Sequence, residues 1–465
     1  MPSAITWTVS DAERAAFARF SGDHNPIHQD PVGARRLHGG RLLVHGAHVL
    51  LAVVEQAIAE GHLAAAPRGL TITFRHGIEP DMPLTTSFVP GDDSLTARVT
   101  ADVWPAADIE ITLGGLSPAV LVDGPPIPLE DEPHEHDLDR LNDIVGTVGI
   151  SCDPALADSL FPLTNRLLGS LRLAEVARIS CVVGMRAPGR YSMSSRYEIE
   201  FTEQTNDDRV PCLAYRVEDV DVRMRRVQLG ISGPTMTADA LAFSPPGPVD
   251  QRQVLAGGER PEPAEFAGRR VLVVGGSRGL GAAAVHLLAE GGAEVRFTHL
   301  AGQREAAALA GWTGATAVRF DVLGDVALVD VLGEWQPTHV CWFASPPRSG
   351  GVTGMFSDRL HAQLLAVMVT AFERAVSALA APPLRGVLWP SSEVLARTTP
   401  PPGEVVSVLR AGEAACERLV ADRPGLVVHA RRLPRLRTDQ TTSLLPVEYA
   451  DTASVMLAAL RALPG

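Results

Sequence analysis

Lysine is missing from this chain of 465 residues, and all 41 basic residues are arginine. Abundant Ala, Gly and Pro accompany that absence, a mix that a GC-rich genome produces. The chemical consequence holds whatever its origin: no site here can use a lysine ammonium. Cysteine is scarce too. Cys152, Cys181, Cys212, Cys341 and Cys416 lie far apart, no pair has metal-site spacing, and an odd number argues against a disulfide framework. A reduced, cytoplasmic setting is expected. Positive charge is in deficit, with a formal net charge of −13. That balance excludes a general nucleic-acid or anionic-membrane surface. No uncharged run reaches the length of a membrane span, about 20 residues. The start, Met1-Pro2-Ser3-Ala4-Ile5-Thr6-Trp7, lacks the basic head and apolar run of a signal peptide.

What is present suffices for substantial cores. Hydrophobic residues make up 46% of the chain, and the length allows two to four domains at roughly 100–200 residues each. Three blocks emerge. In the first, residues 1–120, a helix over 10–20 starts at Ser10 with Glu13 three positions on, a capping box. A long apolar helix spans 45–61. Strand-like runs follow at Gly69–Arg75, Leu84–Val89, Leu95–Val103 and Ile109–Leu113. A long helix followed by antiparallel strands suggests a sheet wrapped around one helix. Residues 121–144 are rich in Pro and acid and read as an exposed linker. His134 and His136 lie in it and read as loop residues, since no further ligands converge on them in sequence. Residues 145–246 repeat the order of the first block, with a helical stretch at 160–183 and strands at 192–201, 212–220, 222–229 and 235–243. Residues 247–265 read as a second linker. From 266 to 465, strands and helices alternate as in a parallel doubly wound sheet.

The chemistry concentrates at Phe20-Ser21-Gly22-Asp23-His24-Asn25-Pro26-Ile27-His28-Gln29-Asp30. Pro26 and the residue before it break any single helix through Asp23 and His28. The turn brings a carboxylate and an imidazole back toward one point, which suits adding or removing water. Gly39-Gly40-Arg41-Leu42-Leu43-Val44-His45-Gly46 follows and runs into the apolar helix. A helix start offers unpaired N–H groups and a positive dipole end, suited to an anionic oxygen.

With Phe17, this pattern resembles the MaoC-like (R)-specific enoyl hydratases and dehydratases, whose motif is close to Phe-x-x-x-Ser-Gly-Asp-x-Asn-Pro-x-His-x-Asp. The resemblance implies a hot-dog fold and the roles. Asp23 and His28 activate the water or the β-hydroxyl, and the Gly46 N–H binds the thioester carbonyl oxygen. Asn25 reads as a turn-former, His45 as a packing or capping group, and Asp30 as the cap of a following turn. The second block, which lacks the motif, is expected to be the partner half of a double hot-dog, through Phe161-Pro162, Ala174, Val183-Gly184-Met185, Pro188-Gly189 and Ser192. Arg35, Arg36 and Arg41 lie near the presumed mouth and face either a pantetheine phosphate or solvent.

In the third block, Gly275, Gly279 and Gly281, with Ser277 and Arg278 between them, follow a strand and open a helix. This resembles the short-chain dehydrogenase/reductases. Asp321 sits where that family contacts adenine. Arg278, with Thr298-His299 and no acid ending the second strand, favours NADP over NAD. The family's Tyr-x-x-x-Lys pair is absent. The candidate positions read Val405/Leu409 or Val406/Arg410, the Asn-Asn-Ala-Gly loop is Phe343-Ala344-Ser345-Pro346, and only a serine is kept, as Ser391 or Ser392. A valine cannot donate a proton to a carbonyl. The fold class expected is an α+β double hot-dog followed by an α/β Rossmann-like sheet, with the reductase-like block inactive. The activity expected is dehydration of (R)-3-hydroxyacyl thioesters, or the reverse hydration, on a carrier protein in polyketide or fatty-acyl assembly or on CoA, and it needs no cofactor. Two other readings stand beside it. One is a bifunctional ketoreductase–dehydratase using NADPH with Ser391, Ser392 or Arg410; the other is a non-catalytic acyl-binding module. A homodimer is the expected partnership, since hot-dog surfaces often pair.

Overall fold

A computed structural model describes residues 4–37, 40–121, 132–204, 211–347, 352–379, 383–397 and 402–465. Gly39 of the Gly-rich element and most of the expected first linker, including Gly124-Pro125-Pro126, lie outside the described residues. The chain divides into two compact units, Met1–Gly247 with Ser443–Pro446, and Pro248–Thr442 with Val447–Gly465.

The first unit runs β1 (Ala4–Trp7), α1 (Asp11–Ser21), α2 (Pro26–Gln29), α3 (Pro31–Ala34), α4 (Gly46–Ala59), β2 (Gly69–Phe74), β3 (Leu84–Pro90), β4 (Ser94–Ala101) and β5 (Trp104–Thr112). It continues with β6 (Val145–Gly149), α5 (Pro154–Leu160), α6 (Pro162–Leu168), α7 (Ser170–Cys181), β7 (Met193–Phe201), β8 (Cys212–Asp221), β9 (Arg226–Ser232) and β10 (Met236–Phe243). All ten strands form one sheet, in the order β1-β3-β4-β5-β2-β7-β10-β9-β8-β6. Read from its two edges inward, each half has the same order: first, third, fourth, fifth and second strand of its block. The halves meet antiparallel at β2 and β7, with Leu70 opposite Ile199 and Ile72 opposite Tyr197.

Each half supplies one long buried helix. α4 is apolar nearly all round, and Ala47, Leu50, Leu51, Val53, Val54 and Ala57 are fully buried. α7 is buried along its whole length, Arg172, Glu175 and Arg178 included. Buried charges need partners, and these have them. Arg172 donates to the Ser117 and Thr202 carbonyls, and Glu175 accepts from the Thr235 N–H and hydroxyl. The two helices also hold each other's half. Glu55 of α4 accepts from the Leu163 and Thr164 N–H groups in the first turn of α6, at 2.9 and 2.7 Å. Arg178 of α7 donates to the Ser21 carbonyl at the end of α1, at 2.9 Å. A carboxylate thus meets a helix N-terminus and a guanidinium a C-terminus, as the helix dipole favours.

Several expectations need correction. The single helix expected over 160–183 is three helices, broken at Phe161-Pro162 and at Gly169, whose φ is +84°; α7 then continues through one π turn, Val182–Arg186. The described end of the first linker is not an exposed spacer, because Leu138 and Leu141 are buried and His134 N–H bonds to the Met185 carbonyl. The expected second linker carries a short helix capped by Asp250. Among the described residues no helix is long and apolar enough to cross a membrane.

The second unit runs α8 (Gln251–Leu255), β11 (Arg270–Val274), α9 (Gly279–Glu290), β12 (Glu294–His299), α10 (Gln303–Thr313), β13 (Thr316–Arg319), α11 (Leu328–Leu332), β14 (His339–Trp342), α12 (Asp358–Leu365), α13 (Ala371–Ala378), β15 (Gly386–Ser392), α14 (Gly403–Asp422), β16 (Val427–Leu433) and α15 (Thr452–Arg461). Its six strands are parallel, in the order β13-β12-β11-β14-β15-β16. The order reverses between β11 and β14, and such a switch point opens a crevice at the strand ends. The glycine turn after β11 lies there.

Candidate active site

The site begins where α1 ends. Ser10 and Glu13 form the capping box at its start, and Gly22 closes it in the left-handed conformation, φ 72°. Asp23 follows at once. Asn25 caps α2, its Oδ1 accepting from the Ile27 N–H at 3.1 Å, with Pro26 at the first helical position. The other end of the Asn25 amide donates to the Gly184 and Gly189 carbonyls at 2.8 and 3.2 Å. Asn25 is therefore the turn-former and a tie to the second half as well. Asp30 caps α3 through the Val32 N–H at 2.9 Å.

The one-turn helix α2 carries His28 back over Asp23. Asp23 Oδ2 and His28 Nε2 stand 3.8 Å apart, and Asp23 is 1% exposed. That separation is too long for a direct hydrogen bond. It is the base of a triangle whose other corner, a water or hydroxyl oxygen, reaches both atoms at about 2.8 Å. Asp23 Oδ1 accepts from the Asn25 N–H at 3.1 Å, and Oδ2 accepts from the Ser180 hydroxyl at 2.6 Å.

The tautomer of His28 follows from its other nitrogen. Nδ1 lies 2.9 Å from the Leu43 carbonyl oxygen. A carbonyl only accepts, so Nδ1 carries the proton and Nε2 offers its lone pair. Burial lowers the His28 pKa below its ordinary value, with Asp23 and the Leu43 carbonyl opposing the shift and Arg14 adding to it. The ring is a neutral base at neutral pH.

His45 stacks on His28 with centroids 3.9 Å apart, and its Nε2–H donates to the Asp23 carbonyl at 3.0 Å. Its pKa is pushed well below the ordinary value, first by burial and then by the neighbouring His28. It packs and holds the turn; its side chain makes no capping bond to α4, although it occupies the N-cap position. Gly46 is the first residue of α4, so its N–H has no acceptor within the helix. Of the three residues singled out in the sequence, Asp23 and His28 face each other at 3.8 Å, and Gly46 follows His45, whose ring stacks on His28. A Cβ on Gly46 would lie 2.4 Å from Phe74 Cζ. Donor atoms of Asp23, His28 and His45 also lie within 4.8 Å of one another, the spacing of a possible metal cluster. Both Asp23 carboxylate oxygens and His45 Nε2 are already held in hydrogen bonds.

Two further residues touch the Asp23 carboxylate: Ser180, which has no local signal in the sequence, and Gly184, expected only as part of the partner half. Ser180 holds the Asp23 carboxylate from α7. Gly184 lets the π turn approach it, since a Cβ there would lie 2.4 Å from Asp23 Oδ1. Of the arginines expected at a mouth, Arg41 is taken up by Glu79 with two bonds of 2.8 and 2.9 Å. Arg35 and Arg36 are half-buried just past α3.

In the second unit, the glycine turn is built as a nucleotide turn requires. Gly275 has φ +80°, and a Cβ on it would lie 2.5 Å from the Ala344 nitrogen. A Cβ on Gly281 would lie 2.1 Å from the Gly275 carbonyl oxygen. Gly279 instead faces open space at the start of α9, with Thr438 nearest at 3.9 Å. Ser277 lies in the turn and Arg278 is the N-cap residue. The Gly275 and Gly276 N–H groups are taken by Thr298, and the start of α9 beyond them offers the N–H groups and dipole end that fit a pyrophosphate. Asp321 spends one oxygen on the Leu323 N–H, at 2.9 Å.

The hydride-transfer positions are different. Val405 and Val406 are half-buried, Leu409 is buried and Arg410 is exposed. Ser391 donates to Glu413 at 2.5 Å, and Glu413 is gripped by Arg432 through bonds of 2.8 and 2.7 Å. That grip holds the Glu413 carboxyl below the usual carboxylate range. The Ser392 hydroxyl accepts from the Val394 N–H at 3.3 Å.

Comparison with known proteins adds the following. A 67-residue stretch is 48% identical to the cyclic-di-GMP-binding biofilm dispersal mediator protein of Escherichia coli (strain K12). The match covers 14% of this chain and 28% of that protein, so the chain spans less than a third of that relative's length. Among solved structures, BdcA in complex with NADPH is similar at 25% identity and a TM-score of 0.38, over 43% of this chain and 88% of that one. A short chain dehydrogenase from Shigella flexneri is similar at 20% identity and a TM-score of 0.39, again over 43% and 88%. The MaoC like domain family matches residues 2–94. The part of the chain that carries Asp23, His28 and Gly46 is a MaoC-like domain.

Proposed function

We propose that this protein removes water from (R)-3-hydroxyacyl thioesters, or adds it to enoyl thioesters, at the Asp23–His28–Gly46 site of a double hot-dog. The observation that carries this reading is the 3.8 Å pair of one carboxylate and one neutral imidazole beside a helix start. In dehydration the thioester oxygen sits on the Gly46 N–H. His28 Nε2 takes a proton from C2, and the C2–H electron pair moves to the thioester oxygen as an enolate. The enolate collapses, the C3–O bond breaks, and the imidazolium returns its proton to the leaving hydroxyl, which departs as water. Asp23 orients that hydroxyl and steadies the imidazolium. One base serves both atoms, so proton and hydroxyl leave from the same face.

The second unit, in this reading, holds NADP(H) without using it for reduction. Gly275, Ser277, Arg278, Gly279 and Gly281 would hold its pyrophosphate, and Asp321 would approach the adenine. The cofactor when bound would supply hydride, and among the described residues Val405, Val406 and Leu409 carry no group that can protonate a ketone. The cyclic-di-GMP and NADPH of the similar proteins belong to those proteins; the support here is the turn itself. An acyl chain on a carrier protein in polyketide or fatty-acyl assembly is the proposed substrate, and CoA the alternative thiol.

The test is mass spectrometry of 3-hydroxyacyl and enoyl thioesters of both thiols, read for loss or gain of water. His28→Ala should abolish the change. Turnover that survives this substitution would refute the assignment, and NADPH consumption with a 3-ketoacyl thioester would refute the silent second unit.

A further inference from the structure

The second half has no copy of the Asp/His motif, yet it touches the reacting carboxylate. Ser180, the penultimate residue of α7, is 3% exposed. Its hydroxyl donates to Asp23 Oδ2 at 2.6 Å, and this is the oxygen that faces His28 Nε2 at 3.8 Å. Asp23 Oδ1 is separately held by the Asn25 N–H. One oxygen is thus anchored by the turn itself and the other by a residue 157 positions away. Gly184, four residues on and on the same side of the helix, closes the arrangement. A Cβ there would lie 2.4 and 2.6 Å from the two Asp23 oxygens.

We propose that Ser180 is a positioning residue for the hydration–dehydration reaction, setting the plane of the Asp23 carboxylate so that Oδ2 can meet the substrate oxygen. The inference rests on the function proposed above. The physical reason is the softness of the terminal carboxylate torsion, which is broad and roughly two-fold. Without the Ser180 hydroxyl, only Oδ1 is held, and Oδ2 can swing away from His28. A hydroxyl has one proton to give. Ser180 gives it to Asp23, which leaves the carboxylate's remaining lone pairs for the substrate. Displacements of about 1 Å near reacting atoms cost up to about 100-fold in rate.

The experiment uses the full chain with an enoyl thioester, measuring kcat and KM separately for wild type, Ser180→Ala, Ser180→Thr and Gly184→Ala. Ser180→Ala should lower kcat by about 10–100-fold while KM stays within about twofold. Ser180→Thr, which keeps the hydroxyl, should recover most of the loss. Gly184→Ala, pressing a Cβ against both carboxylate oxygens, should lower kcat as well. Circular dichroism and melting confirm the fold of each variant. A folded Ser180→Ala enzyme with wild-type kcat overturns the inference, and so does a threonine variant no better than alanine. If His28→Ala is dead while Ser180→Ala is normal, only this inference fails. If the wild-type chain turns over neither thioester, the underlying reading fails and takes this one with it.

Discussion

His48 offers a quantitative check on the packing beneath the site. It lies on α4, 4% exposed, stacked on Phe17 at 4.7 Å and edge-on to Phe161 at 5.5 Å. Its Nδ1 is buried with no hydrogen-bond partner among the described residues. Burial pushes its pKa down from 6.5 to about 4, against a small opposing pull from Glu13. The folded value lies below the unfolded one, so the unfolded chain binds the proton more readily. The neutral ring's contribution is therefore fully present above about pH 6.5 and is lost as pH falls toward 4. At 1.36 kcal/mol per pH unit, the whole window is worth about 3 kcal/mol. About 2 kcal/mol of it falls between pH 7 and pH 5. His48→Leu removes the titration, while the lost ring stacking costs about 0.5–1.5 kcal/mol at every pH. The assay is denaturant unfolding of wild type and variant at both pH values. The stability lost between pH 7 and pH 5 should be smaller in the variant by about 2 kcal/mol. Equal losses in the two proteins, or an NMR titration midpoint for His48 near 6.5, would refute the reasoning.

Three further outcomes are expected. Gly46→Ala drives a Cβ against Phe74 Cζ at 2.4 Å; kcat in the thioester assay should fall at least about 10-fold, with an overpacking cost of about 1–3 kcal/mol in unfolding. Gly281→Ala sets a Cβ 2.1 Å from the Gly275 carbonyl oxygen, backbone that cannot yield cheaply; a lower melting temperature of the second unit and weaker NADPH binding by fluorescence titration should follow. His28 must be neutral to act as base, and burial lowers its pKa; kcat/KM should therefore fall on the acid side with a midpoint below 6.5, and a midpoint above 6.5 would count against His28 as the base.

How much of this was visible in the sequence depended on the range of the interactions. The Ser10–Glu13 capping box, the apolar run of α4 and the Asp23–His28 turn are set by residues a few positions apart, and all three read correctly. The alternating strands and the parallel sheet of the second unit were also legible. Short or polar strands were not. β1 and β6 are only four and five residues long, and β16, Val-Val-His-Ala-Arg-Arg-Leu, lacks the apolar run of its neighbours. The breaks around Phe161-Pro162 and Gly169 leave little trace in the hydrophobic pattern, because apolar residues continue across them. Leu138 and Leu141 were hidden among acids and prolines that suggest a solvated loop. Ser180 has no local signal, and Gly184 reads only as part of a partner half, since the contact of both with Asp23 spans the two halves.

The two halves share one strand order but differ at the start of their long helices. In the first half, α4 starts at Gly46, with its leading N–H free of helix partners and Asp23 and His28 close by. α7 is the matching helix of the second half, and its start is filled by the protein itself. The Ala119 carbonyl accepts from the Leu171 N–H at 3.0 Å, while the Ser170 hydroxyl accepts from the Leu121 N–H at 3.0 Å. Gly169 is pressed so tightly there that a Cβ would lie 2.0 Å from the Ala119 carbonyl oxygen. A backbone carbonyl thus occupies the start of α7, the position that is left without a helix partner at Gly46 of α4. With that end closed, α7 serves the other half: Arg178 holds the end of α1, Ser180 and Gly184 shape the Asp23 carboxylate, and the Gly184 carbonyl holds Asn25. Removing the Ser180 donor from α7 should therefore damage the proposed reaction at Asp23, chemistry that α7 does not itself perform.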